Sequence, residues 1–227
     1  MMKSSLLHSW NVSPEEAVRI QCDLRSKVIR KNDFGCLKTI AGVDIAFCAT
    51  SNRAFAGIVV LSFPEMEILE KRVITGTISF PYIPGLLAFR EGPLIVKLFQ
   101  KINKNPDITL FDGHGLAHPL GCGIASHMGV LLNIPAVGSA KSKLTGTYHV
   151  PADKKGSAGN LYDKNRKVIG KVLRSRAGCK PIFVSVGHKI KLITALTVTL
   201  QSCIKYRIPG PARLAHMLVN KTKTLSL

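Results

Sequence analysis

The chain has 227 residues, of which 46% are hydrophobic and 20% charged, a balance that excludes a disordered polypeptide. Thirty-two Lys and Arg against thirteen Asp and Glu give a formal net charge of +19. Such an excess favours a polyanionic partner, because neutralising phosphates releases counterions; a solvated basic surface is the simpler alternative. The length predicts a single domain over residues 1–227, with a basic C-terminal tail from about residue 220.

Six cysteines are scattered without a CxxC pair, which argues against both a zinc site and a disulfide framework and favours reduced thiols in an intracellular protein. The first ten residues lack the apolar core and the cleavage site of a secretion signal. No apolar run approaches the length that spans a bilayer. We therefore expect a cytoplasmic protein without a membrane partner.

The N-terminal third predicts one helix followed by a meander. Residues 13–31 have the apolar stripe of an amphipathic helix, and Ser13 can cap its first turn. Turn residues then separate three strand-like runs. These predicted antiparallel strands are Thr39–Phe47, Ala54–Phe63 and Glu67–Thr77.

Short strands and helices alternate over the rest of the chain. Apolar runs predict strands at Ile108–Phe111, Ala136–Gly138, Lys167–Arg174 and Pro181–Val186. Helical spacing predicts helices at 86–104, Cys122–Leu132 and Ile190–Ile204, a short helix after Pro211, and between them a basic loop at Lys141–Tyr148. This order predicts an α/β fold with a mixed central sheet flanked by helices on both faces.

Three acids stand on segments suited to a ligand site. Asp44 leads into apolar sequence, Glu91 follows a Pro-rich turn, and Asp112 ends an apolar run and opens a loop rich in Gly and His. Open α/β sheets bind ligands at the carboxyl ends of their strands. A buried carboxylate is costly unless it is paired or bound to a metal, and Mg²⁺ prefers oxygen ligands. A turn or capping role explains each acid alone; the three together predict a cation site for phosphodiester chemistry.

The segment Pro81–Gly85 predicts a stiff turn, because its two prolines fix φ. A rigid wedge led by Tyr82 can replace a base in a stack, and an ordinary surface loop is an equal alternative. Lys141 follows a predicted strand and can reach a phosphate, although a single lysine is more often a solvated charge.

Six of the seven histidines divide into two groups. His118 and His216 are candidates for proton transfer or phosphate contact near neutral pH. A lone histidine more often forms a structural hydrogen bond. That structural role is assigned to His114, His127, His149 and His188.

With these segments together, the chain closely resembles the endonuclease V family, nucleases that act at deaminated bases. The blocks PYIPG…FRE and DGHG…AHP in this order are highly specific, and the likeness runs over nearly the full chain. The segments that carry the likeness are Gly42–Asp44, Phe80–Pro93, Asp112–Pro119, Gly123–His127, Gly138–Leu144 and Ser185–His188.

The resemblance implies a ribonuclease H-like fold and Mg²⁺-dependent hydrolysis, with Mn²⁺ as a substitute metal. The bond cut is the second phosphodiester 3′ to hypoxanthine, and the lesion stays in place. By position, Asp44 and Asp112 are implied as direct metal ligands, with Glu91 acting directly or through water. Lys141 is implied to contact the scissile phosphate and His216 to lie beside the attacking water.

The resemblance also implies where the flipped lesion is held. Tyr82 leads the wedge, and backbone and small residues line the pocket. The implied substrate-binding residues are Pro81, Tyr82, Ile83, Pro84, Gly85, Leu87, Gly113, His118, Gly123 and Ile124. One departure is Leu120, which stands where family members often carry a basic residue; a phosphate contact near His118 is then lost, lowering affinity without changing the chemistry.

Several functions stay open on the sequence. The expected partner is nucleic acid containing deaminated bases, with DNA favoured over RNA and the protein acting as a monomer. The alternatives are an inosine-specific ribonuclease, a nucleic-acid-binding member with weakened chemistry, and a Holliday-junction or ribonuclease H-type nuclease. The three acids with Lys141 favour the enzyme, and Tyr82 favours a lesion nuclease. The choice between DNA and RNA depends on contacts to the 2′-hydroxyl.

Overall fold

The protein, described over residues 8–226 by a computed structural model, is built around an eight-stranded mixed sheet. The strands are β1 (Thr39–Phe47), β2 (Arg53–Ser62), β3 (Ile68–Thr77), β4 (Ile108–Phe111), β5 (Ala136–Ala140), β6 (Ala158–Tyr162), β7 (Val168–Leu173) and β8 (Ile182–His188). Their spatial order is β3-β2-β1-β4-β5-β8-β7-β6. The ends of the predicted domain, residues 1–7 and 227, lie outside the described residues, as does most of the segment considered for a secretion signal.

Helices cover both faces of the sheet. They are α1 (Pro14–Ser26), α2 (Leu87–Phe99), α3 (Ile124–Leu132), α4 (Leu192–Gln201) and α5 (Gly210–Leu225). Because neighbouring residues of a strand point to opposite faces, Ala41 packs in the cluster with α2 and α3, whereas Ile40 packs with α4 and α5. This arrangement confirms the predicted α/β fold. Within the described residues, no helix combines the length and the apolar composition that crossing a membrane requires.

The strand directions bring particular chain ends together. Strands β1, β2 and β3 pair antiparallel, as the predicted meander requires. Strand β4 pairs parallel with both β1 and β5, and Val43 lies opposite Phe111. The residues that follow these two positions, Asp44 and Asp112, therefore meet at one edge of the sheet.

The largest differences from the prediction are in four elements. Helix α2 ends at Phe99 rather than at residue 104. Helix α1 ends at Ser26 rather than at residue 31. Helix α5 is not short: it runs for 16 residues to Leu225, so the basic segment from about residue 220 continues the helix. Strand β6 was not predicted, because its sequence AGNLY carries two weak strand formers. The segment forms a strand because it pairs with β7.

Helix α5 lies directly on β1, and Gly42 makes this approach possible. A Cβ at position 42 would overlap the backbone of Pro211 at the start of α5. The absence of a side chain thus lets the helix sit close enough for its later residues to reach the end of β1. Gly42 is in this sense a determinant of the site as well as of the fold.

The substitution Gly42→Ala should destabilise the protein, because the added methyl has no space between β1 and α5. We expect a loss of about 1–3 kcal/mol in the free energy of unfolding, typical of overpacking. Urea unfolding measures it. Gly35→Ala is the matched control, since a Cβ there meets nothing within 4 Å. Equal stability of the two variants would contradict the close contact.

Candidate active site

The three predicted acids surround one small cavity. Asp44 comes from β1, Asp112 follows β4, and Glu91 projects from the first half of α2. Together with apolar neighbours they line a space of about 30 Å³, enough for a water molecule or a small ion. The atoms with which these acids could bind a metal are carboxylate oxygens, the ligand type that Mg²⁺ prefers.

The acids strongly perturb one another. Burial, reinforced by the charges of Asp44 and Asp112, raises the pKa of Glu91 to about 8, and the nearby Arg90 opposes this only in part. Burial also raises the pKa of Asp44, against a hydrogen bond from His216. Full ionisation of the three acids in this cavity is therefore unfavourable, and a bound divalent cation would stabilise their charged forms.

Two basic residues pair with the aspartates. Lys141, which follows β5, forms an ion pair through its Nζ with Asp112. Nδ1 of His216, on α5, lies 2.8 Å from Oδ2 of Asp44. With these contacts in place, no group of three or more His, Cys, Asp or Glu within residues 8–226 is arranged to hold a metal ion. The structure thus brings the five predicted catalytic residues together, with Lys141 paired to Asp112 and the His216 ring in contact with Asp44.

A larger cavity of about 340 Å³ adjoins the acids. Its volume falls in the range of small-molecule pockets, about 300–1,000 Å³. Asp112 and Ile124 line both cavities, so the two share a wall. Nine of the ten predicted substrate-binding residues line it: Tyr82, Ile83, Pro84, Gly85, Leu87, Gly113, His118, Gly123 and Ile124. Pro81, the tenth, is exposed beside it.

The stiff turn predicted at residues 81–85 is present. The backbone N–H of Leu86 donates to the carbonyl of Ile83 at 2.9 Å, which closes a turn with Pro84 and Gly85 at its centre. Gly85 has φ +90°, a conformation that a type II turn demands at this position and that favours glycine. The Tyr82 side chain is 70% exposed at the mouth of the cavity. We call residues 81–86 the wedge turn.

His118 has a structural role at the wedge turn. Its Nε2 donates to the carbonyl of Gly85 at 2.9 Å, and its Nδ1 accepts from the backbone N–H of Leu120 at 3.2 Å. Burial lowers the pKa of His118 to about 4, so the ring is neutral near pH 7. Both ring nitrogens are thus engaged within the protein. His118 supports the wedge turn, and its role in proton transfer or phosphate contact stays a prediction.

The remaining histidines are mostly structural. His127 is buried with its Nε2 2.8 Å from Nε2 of His8, and Nδ1 of His188 accepts from the backbone N–H of Ile29 at 3.2 Å. These contacts confirm the structural role predicted for the two. His114 is different, because it lines the 340 Å³ cavity while its Nε2 donates to the carbonyl of Ser142.

Sequence reasoning missed part of this cavity wall and one residue behind it. The basic loop supplies Ser142, Lys143 and Leu144 to the lining. Gln21 of α1 is fully buried, and its side-chain amide donates to the carbonyls of Gly85 and Cys122. A polar residue on the apolar stripe of a helix is the signal that points to such a position.

The comparisons with known proteins agree with this site. The family model for endonuclease V matches residues 22–217. An endonuclease V from Dehalococcoides mccartyi is 44% identical over 216 residues, 95% of this chain and 96% of the relative. An endonuclease V from Trichormus variabilis is 46% identical over 214 residues, 94% of this chain and 96% of the relative.

Solved structures extend the comparison to the fold. Endonuclease V from Streptomyces avermitilis superposes with a TM-score of 0.90 at 36% identity, covering 96% of each chain. Endonuclease V from Ciona intestinalis, solved with a 24mer DNA containing an inosine followed by a ribo-adenosine, gives 0.83 at 30% identity, covering 94% of this chain and 98% of the other. Fold and comparisons define a nuclease with a ribonuclease H-like fold, a hydrolase of phosphodiester bonds. The chain belongs to the endonuclease V family.

The raised pKa of Glu91 predicts how stability depends on pH without metal. The unfolded side chain ionises near its ordinary value of 4.5, whereas the folded one keeps its proton to about 8. Between these values the folded state binds more protons, so stability falls as pH rises from about 5 to about 8. Glu91→Gln should remove this slope and gain most stability at the upper end. Thermal unfolding in EDTA measures it, with the exposed Glu65→Gln as control. Parallel curves for Glu91→Gln and the natural protein would refute it.

Proposed function

We propose that this protein is a Mg²⁺-dependent endonuclease that holds a hypoxanthine base and hydrolyses the second phosphodiester bond 3′ to it, leaving the lesion in place. The observation that carries the proposal is the shared wall, since Asp112 and Ile124 line both the 340 Å³ cavity and the acid cavity. A base in the larger cavity therefore has its backbone near the acids. The inosine in the DNA bound to the Ciona relative supports hypoxanthine as that base.

The acid cavity fits the proposed metal. Asp44 and Asp112 would be direct ligands, and Glu91 would act directly or through water. The fit rests on three carboxylates at one small cavity, where burial, reinforced by the charges of Asp44 and Asp112, raises the pKa of Glu91 to about 8. When bound, Mg²⁺ supplies activation of water and neutralisation of the leaving oxygen, and Mn²⁺ accepts the same oxygen ligands.

Lys141 and His216 have complementary tasks in this proposal. Lys141 lies against Asp112 at the boundary of the two cavities, where it is placed to contact the scissile phosphate. His216 is half exposed, and its contact with Asp44 orients the ring beside the expected position of the attacking water. We infer that His216 takes up the proton that this water loses.

Recognition in this proposal depends on base flipping. Extruding a base costs a few kcal/mol, least where the pair is already weakened, so a deaminated base is favoured. Tyr82, held out by the wedge turn, would fill the space that the flipped base leaves in the stack. The net charge of +19 supplies affinity for the phosphates around the lesion.

An inosine-specific ribonuclease is the second candidate. The DNA bound to the Ciona relative carries a ribo-adenosine after the inosine, so that protein accommodates a 2′-hydroxyl beside the inosine. Cleavage of matched inosine-containing DNA and RNA oligonucleotides decides between the two substrates. Two further predictions remain, that the protein is a monomer and that it acts in the cytoplasm. The free thiols of the six cysteines support the second of these.

The variants Asp44→Asn and Asp112→Asn test the chemistry. Each removes a proposed ligand charge while keeping the shape of the side chain, so nicking of an inosine duplex should fall by more than about 100-fold. Binding to the same duplex should persist, because the wedge turn and the basic surface are intact. Asp23→Asn, at an exposed position of α1, is the matched control. Full activity in either test variant would remove that residue from the proposed metal site.

The variant Tyr82→Ala tests recognition apart from chemistry. Aromatic stacking on a base contributes about 1–3 kcal/mol, so affinity for an inosine duplex should fall about five- to a hundred-fold. Affinity for the unmodified duplex should barely change, and Tyr82→Phe should keep both. The affinities are compared at one fixed salt concentration. Equal losses on the two duplexes would make Tyr82 a general surface contact.

A further inference from the structure

A buried glutamine of α1 joins two walls of the 340 Å³ cavity from behind. Nε2 of Gln21 donates to the carbonyl of Gly85 at 2.8 Å and to the carbonyl of Cys122 at 2.9 Å. Gly85 belongs to the wedge turn on one side of the cavity. Cys122 directly precedes Gly123, which lines the cavity and caps the start of α3. One amide group therefore spans from the wedge turn to α3.

The helix that carries Gln21 is itself firmly held. A capping box closes its first turn: the backbone N–H of Glu16 donates to Oγ of Ser13, and the backbone N–H of Ser13 donates to Oε2 of Glu16. Near the other end, Leu24 packs in a buried cluster with Cys122 and Val130. A side chain on such a rigid element holds its partners more precisely than one on a loop.

Packing alone does not explain a glutamine at this position. Both partners of the amide are carbonyl oxygens, so only the NH₂ group can face them. The remaining oxygen, Oε1, is buried and has no hydrogen-bond partner within the described residues. An unpaired buried acceptor is destabilising, and an apolar side chain of similar size would avoid it. What the amide adds over such a side chain is the pair of bonds to Gly85 and Cys122.

The carbonyl of Gly85 accepts from two donors. His118 ties it to the middle of the loop between β4 and α3, and Gln21 ties it to Cys122 at the end of that loop, directly before α3. The bond from Gln21 is the one that connects the wedge turn to the start of α3. Gln21 itself lines a groove of about 300 Å³ behind the wedge turn, so it acts on a bound base only through these partners.

We propose that Gln21 is a positioning residue for base recognition: its amide fixes the wedge turn relative to the start of α3 and so sets the width of the base cavity. This inference rests on the proposed function, because the width matters through the hypoxanthine that the cavity holds. The two hydrogen bonds of the Gln21 amide go to Gly85 and Cys122 and not to the three acids. Gln21 therefore governs which base is bound and leaves the hydrolytic step unaffected.

The variant Gln21→Leu removes both bonds and keeps an apolar side chain of similar size. Affinity for an inosine duplex should fall about five- to a hundred-fold, the equivalent of two net hydrogen bonds. Affinity for an unmodified duplex and kcat at saturating substrate should stay close to those of the natural protein. Leu24→Ala is the matched control, because it loosens the packing of α1 and leaves the amide in place. It should lower Tm and keep the ratio of the two affinities.

The variant Gln21→Glu gives a readout that a packing role does not. A carboxylate has no donor for the two carbonyls, whereas a protonated carboxyl regains one O–H donor. Burial favours the neutral form, so protonation falls within roughly pH 6 to pH 9. The inosine preference is the affinity for the inosine duplex divided by the affinity for the unmodified duplex. This preference is measured for Gln21→Glu and for the natural protein at each pH. The value for Gln21→Glu, divided by the value for the natural protein, should rise as pH falls. A ratio that is flat with pH would count against the proposal.

The outcomes separate this inference from the proposed function. A natural protein without preference for the inosine duplex would overturn the proposed function and this inference with it. A natural preference that Gln21→Leu keeps in full, or that Leu24→Ala loses to the same extent, would overturn the role of Gln21 alone. If Gln21→Leu does not fold, the pH dependence of Gln21→Glu decides.

Discussion

The parallel pairing of β1 with β4 places the carboxylates of Asp44 and Asp112 side by side at one edge of the sheet, and their repulsion is the constraint around which the site is arranged. The neighbouring elements reduce this repulsion by placing a positive charge or a hydrogen-bond donor beside each aspartate. Strand β5 continues the parallel order and delivers Lys141 to Asp112. Helix α5, lying on β1 where Gly42 leaves room, delivers His216 to Asp44. Within residues 8–226 the third acid, Glu91, forms no ion pair, and with a pKa raised to about 8 it stays protonated near pH 7.

Chemistry and recognition are built from different kinds of group. Charged side chains surround the acid cavity, where charge changes during phosphodiester hydrolysis and electrostatic stabilisation is most effective. The base cavity is shaped by neutral hydrogen bonds, from Gln21 and from a histidine whose low pKa keeps it uncharged. The charges of Lys141 and Lys143 also lie in the lining of this cavity. Asp112 belongs to both cavities and couples the two functions.

The sequence predicted what is encoded locally and missed what depends on distant contacts. The apolar run Thr39–Phe47 and the turn residues after it sufficed to predict the meander, and the acids stood out because carboxylates interrupt apolar runs. The length of α5 was missed because its second half is polar on most faces and is stabilised by packing on β1 and β2. The role of His118 depends on Gly85, 33 residues away, and no local pattern reveals such a bond. Gln21 likewise bonds to Gly85 and Cys122, which lie 64 and 101 residues further along the chain.

Leu120 shows how the fold separates the geometry of the site from its charge. The residue contributes its backbone N–H to Nδ1 of His118, and any residue other than proline would supply that donor. The support of the wedge turn is therefore independent of the Leu120 side chain. What a basic residue at this position adds is one charge toward a phosphate, a contribution that appears in affinity and in its salt dependence. In a chain with 32 Lys and Arg, the loss of one such contact leaves the electrostatic attraction largely intact. We therefore expect variation at this position to change the strength of binding, while the support of the wedge turn and the acid cavity stay as they are.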